Sequence, residues 1–145
     1  MESILKPRPV SQSAYANVPG SKARRRAGAI LTGLSILFLL FDSAGKLIPV
    51  SQAVEGSVAL GYPASSVRVI GIILLVCVVL YALPRTALLG AILLTGYLGG
   101  AVASQFRVGN PLLTHTLFPI YVAALVWGGL LLREDRLRAL FPLRR

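Results

Sequence analysis

The chain has 145 residues, is 55% hydrophobic, and carries fifteen Lys and Arg against five Asp and Glu, a formal net charge of +10. Four apolar stretches between Ala27 and Leu132 take up most of that length, which leaves no room for a soluble domain with its own core. The charge does not favour a nucleic-acid partner, because the basic residues flank the apolar stretches and are not interleaved with aromatics on a polar surface.

Residues 1–26 read as a disordered basic tail, rich in Ser, Pro and Ala up to Pro19-Gly20 and charged by Lys6, Arg8, Lys22 and Arg24-Arg25-Arg26. No cleavable signal peptide is visible: the first apolar run starts at Ala27 and is too long for an h-region, so it is expected to stay as a span. That span runs without a charge to Phe41, then through Asp42 and Lys46 to Ile48, before Pro49. The remaining spans are expected over residues 67–83, 86–106 and 113–132, closed by Pro84-Arg85, Arg107 and Arg133. None alternates with period two, so a lipid-facing β-barrel is excluded and the expected fold is an all-α integral membrane four-helix bundle. Residues 27–133 form this one domain and residues 134–145 a basic C-terminal tail; no repeat is obvious.

Charge sets the expected orientation. The N-terminal tail holds six basic residues, the C-terminal tail five (Arg133, Arg136, Arg138, Arg144, Arg145), and the turn between the second and third spans adds Arg85. With four spans these regions share a side, which collects twelve of the fifteen basic residues; the positive-inside rule puts both termini in the cytoplasm of a multi-pass cell-membrane protein. The same charges attract anionic lipid.

Polar groups within the spans are costly and therefore informative. Asp42 lies about 22 Å along the first span, and Lys46 stands one turn beyond it on the same face. Arg68 opens the second span from that outer end, Ser104 and Gln105 close the third, and His115 and Thr116 enter the fourth, with Glu55 and Tyr62 in the first outer loop. Two readings follow. Asp42, Lys46, Arg68, Gln105 and His115 can hold the polar head of an amphiphile whose tail lies between the helices. Alternatively Lys46, Arg68 and Arg107 snorkel to headgroups while Asp42 neutralises Lys46.

His115 has only Asp42, Glu55 and the mid-span Cys77 as conceivable co-ligands, so no metal or haem site is expected. Asp42 or His115 as acid or base of a small membrane enzyme is the alternative to a binding role. Cys77, the single cysteine, excludes an internal disulfide and a dithiol relay. Gly96, Gly100 and Ser104 recur every four residues, a spacing that lets a helix approach closely, either within the bundle or in a second copy of the chain as a homo-oligomer. Pro119 is expected to bend the fourth span near its outer end.

Several segments together resemble the DoxX-like family of small four-helix membrane proteins: Phe41-Asp42 through Gly45-Lys46-Leu47, Leu60-Gly61-Tyr62-Pro63, Leu83-Pro84-Arg85-Thr86-Ala87, Gly90-Ala91-Ile92-Leu93, Leu98-Gly99-Gly100-Ala101-Val102-Ala103, Leu117-Phe118-Pro119, and Trp127-Gly128-Gly129 with Arg133. The resemblance covers roughly residues 30–140. It implies a membrane component of the kind linked to thiosulfate:quinone oxidoreduction or oxidative-stress systems, in a subgroup with few assigned activities. No cysteine pair, haem-ligand pair or nucleotide motif accompanies it, so no cofactor is expected on this chain's own motifs. The expectation is a binder of a quinone or other lipophile, or of a partner membrane or redox subunit.

Overall fold

A computed structural model describes residues 19–48, 50–135 and 137. The expected tail over residues 1–18, with Lys6 and Arg8, lies outside the described residues, as do Arg136, Arg138, Arg144 and Arg145 of the C-terminal tail. The described chain is helical, without a strand: α1 (Pro19–Leu47), α2 (Ser51–Ala59), α3 (Ser66–Ala82), α4 (Ala87–Arg107), a π-helical turn (Leu112–Thr116) and α5 (Phe118–Arg133).

α1 starts at Pro19 rather than at Ala27, so residues 19–26 are helical and not part of a disordered tail. Proline suits a first helical turn, where its missing N–H leaves nothing unpaired, and Lys, Ala and Arg are strong helix formers. Arg24 and Arg25 then reach Asp135 beyond α5, at 2.5 and 3.1 Å, which brings both ends of the described chain to one end of the molecule. The loop after α1 is also more structured than expected, since it contains α2. α3 stops where Pro84 forces Leu83 into extended backbone (ψ 123°). The fourth span is not one bent helix: it breaks at Leu117, and Pro119 sits in the first turn of α5, where it disturbs no ladder.

α1 packs on α3 and α5, and α4 packs on the same two helices, so the four apolar helices close a ring. Its core is Leu39, Leu74, Cys77, Val78, Tyr81, Leu94, Leu98, Val122, Val126 and Leu130. Polar side chains stitch the ring at few points, buried for Tyr81 and Ser43 and nearer the surface for Trp127 and Thr95. Tyr81 Oη donates to the Val126 carbonyl (2.8 Å), Ser43 Oγ to the Gly71 carbonyl (3.0 Å), and Trp127 Nε1 to Thr95 Oγ1 (2.8 Å).

The outside of the ring is apolar too. Ile30, Leu34, Leu37 and Phe41 on α1, Val69, Ile72 and Val76 on α3, and Leu89, Ile92 and Leu93 on α4 are all exposed. In the most apolar 18-residue stretch of each of the three long spans, 22–47, 87–107 and 112–133, only 28–33% of the residues are buried. An apolar exterior of this extent is stable against lipid and not against water. α3, with 17 residues, is shorter and sits at the lower limit for a crossing helix.

Candidate functional site

The sequence puts its uncharged small and polar residues at one end of the ring, and the structure opens a cavity of about 430 Å³ there. α1 contributes Phe38, Leu39, Asp42 and Lys46; α4 contributes residues from Gly96 to Gln105; α3 and α5 add Ile70, Ile73, Phe118, Pro119 and Val122. The α4 lining spans nine residue steps, so the cavity reaches about 13 Å from its polar end towards the bundle middle.

The charged feature is local in origin. One helical turn separates Asp42 from Lys46, and Lys46 Nζ donates to Asp42 Oδ1. The Lys46 side chain is 16% exposed and that of Asp42 39%. Among the described residues these are the only charged ones on the lining, so the described wall is neutral in sum and polarised at one end. The other polar side chains are uncharged: Ser57, Tyr62, Tyr97, Ser104 and Gln105.

A roof crosses the polar end. Gly61 adopts φ +85°, a backbone conformation that favours glycine, and this turns the chain from α2 so that Tyr62 points over the cavity. Tyr62 Oη lies 2.6 Å from Ser104 Oγ, which also donates to the Gly100 carbonyl at 2.9 Å. Arg107, at the end of α4, donates to the Leu60 carbonyl at 2.6 Å and holds the same turn from outside. Asn110 Nδ2 donates to Gln105 Oε1, which fixes the amide orientation of Gln105 at the rim. Below the roof the wall is apolar, with Phe38 and Phe118 in an edge-to-face contact at 5.6 Å.

Of the five residues expected around a ligand head, the structure brings Asp42, Lys46 and Gln105 to the cavity and leaves two outside. Arg68 is exposed at the first turn of α3. His115 is exposed on the π-helical turn, its Nδ1 2.8 Å from Thr114 Oγ1, and, unlike Asp42, does not reach the cavity. Both lie at the correct end of their helices but on faces turned away. Among the described residues no group of three or more His, Cys, Asp or Glu side chains is placed to hold a metal.

The stripe Gly96, Gly100, Ser104 does not serve packing within the bundle, the first of its two expected uses. A Cβ built on Gly96 or Gly100 meets nothing within 4 Å, so no helix of this chain approaches closely there, and all three residues line the cavity instead. The close approaches occur at other glycines. A Cβ on Gly90 would overlap the Tyr81 backbone, and one on Gly129 would come 2.6 Å from Thr32 Oγ1. Sequence reasoning named Tyr62 only as a loop residue and did not single out Ser57; both line the cavity. The available signal for Tyr62 was the Gly61-Tyr62-Pro63 turn, which places an aromatic hydroxyl beside the ends of the helices.

A ring of apolar helices with an apolar exterior and an internal cavity, polar at one end, defines a small helical membrane protein with space for an amphiphile. The chain belongs to the DoxX-like family, which matches residues 30–129 and therefore every residue on the cavity wall. No curated protein and no solved structure matches the chain.

Proposed function

We propose that this protein binds a small lipophilic molecule in the cavity, with the polar end of the ligand beside Asp42, Lys46 and Gln105 and its tail among Phe38, Leu39, Tyr97 and Val122. The observation that carries this reading is the cavity itself: about 430 Å³, apolar in its depth, with one ion pair and a few hydrogen-bonding groups gathered at one end. Sites for drug-sized ligands have this volume and this division of surface. In this reading the polar end faces outward and both termini lie in the cytoplasm, where Arg24, Arg25, Arg26, Arg85 and Arg133 gather. A quinone has the required shape, and an accessory role in a quinone-linked redox system fits, with electron transfer belonging to a partner membrane subunit.

The test is mass spectrometry of lipophiles that co-purify with the protein in detergent. The wild type is expected to retain a defined lipophile that the Asp42→Asn, Lys46→Gln double variant loses. Identical bulk phospholipid from both proteins would sink the reading and leave the pair as a structural contact.

A further inference from the structure

Resting on that reading, we propose that the ligand carries an uncharged, hydrogen-bonding head, and that it reaches the cavity sideways from the bilayer, between α3 and α4, past Ile73, Gly96 and Gly100.

The head follows from the charge count on the wall. Asp42 and Lys46 cancel, and each already has the other as partner. A head of either charge bound beside them would leave one charge uncompensated in a largely apolar space, and such a charge is costly. Tyr62, Ser104 and Gln105 offer what a neutral hydroxyl or carbonyl needs, namely hydroxyl and amide groups that both donate and accept.

The route follows from which walls are closed: on the α1–α5 side Phe38 and Phe118, exposed outside and lining the cavity inside, meet edge to face at 5.6 Å and shut that flank. The polar end is roofed by Tyr62 on Ser104 and by Arg107 on Leu60. The side between α3 and α4 is not. On α3, Gly71 receives Ser43 of α1 and so marks the side facing α1. Ile73, two residues on, is turned by about 160° from it, towards α4. On α4, Thr95 receives Trp127 and marks the side facing α5. Gly100, five residues on, is turned by about 140° away from α5, towards the α3 flank. Ile73 is 50% exposed and also lines the cavity, and the same holds for the exposed Gly96 and Gly100. These residues therefore belong to both the lipid-facing surface and the cavity wall. A Cβ on either glycine meets nothing within 4 Å, so no side chain of α3 fills the flank beside them.

The experiment uses the full chain in phosphatidylcholine nanodiscs and two photoactivatable probes, a long-chain alcohol and the sulfate ester of the same alcohol. Cross-linking to the cavity wall is followed over time by peptide mass spectrometry. The alcohol is expected to load and the sulfate not. Gly96→Leu and Gly100→Leu are each expected to slow loading by about five-fold or more, since a side chain now occupies the gap. Gly33→Leu, a glycine with equally open surroundings on α1, is expected to leave the rate unchanged, and Arg107→Ala, which loosens the roof, is expected not to speed loading. Faster loading in Arg107→Ala, or unchanged loading in both α4 variants, would overturn the lateral route. Equal loading of the sulfate would overturn the uncharged head. If neither probe loads the wild type, the binding reading itself falls, and with it this inference.

Discussion

The Tyr62 hydroxyl lies 2.6 Å from the Ser104 hydroxyl, so that a residue of the loop before α3 is fastened to the last turns of α4 across the mouth of the cavity. The bond joins two segments that are 42 residues apart, and it sits where the apolar wall gives way to polar groups. Hydrogen bonds in this setting contribute about 0.5–1.5 kcal/mol net. Tyr62→Phe and Ser104→Ala are therefore each expected to lower the melting temperature in detergent slightly. The double variant should cost less than the sum, and additive losses would show that the two hydroxyls do not interact.

The Asp42–Lys46 pair is partly open to solvent on the Asp42 side, and screening limits its contribution to about 0.5 kcal/mol. Removing one partner strands the other at the edge of an apolar space. Asp42→Asn alone and Lys46→Gln alone should each destabilise the protein more than the two together. Thermal unfolding of all four proteins in one detergent checks this, and a double variant weaker than both singles would refute it.

Two glycines on α4 are expected to respond in opposite directions. Gly90→Ala puts a methyl into the Tyr81 backbone and should cost roughly 3 kcal/mol, enough to impair folding. Gly96→Ala meets only open space on the same helix and should be neutral or stabilising by up to about 1 kcal/mol. Fluorescence-detected thermal melts separate them.

Orientation is checked by cysteine labelling in a Cys77→Ser background. With both termini in the cytoplasm, Ala64→Cys and Gly109→Cys should react with a membrane-impermeant maleimide in intact cells, and Arg85→Cys only after lysis. The reverse pattern would invert the proposed topology.

Helix propensity, solvent and chain connectivity act locally, and they made much of this protein legible. Each span declares itself because lipid admits only long apolar helices, and so the all-helical architecture and the ends of α3 and α4 could be read to within a residue or so. The meeting of Asp42 with Lys46 was equally local, since one turn of helix places them together whatever surrounds them. What sequence did not determine was rotation and spacing between helices. Arg68 and His115 lie at the same end of the bundle as Asp42, yet their helices turn them outward. Gly96 and Gly100 have the spacing of a packing stripe, but the tight crossings fall at Gly90 and Gly129, and the stripe borders a cavity instead. A helix can be placed along its own axis from composition alone. Which face it turns inward is decided by contacts such as Trp127 on Thr95 and Ser43 on Gly71, which depend on all four helices at once and exist only in the folded ring.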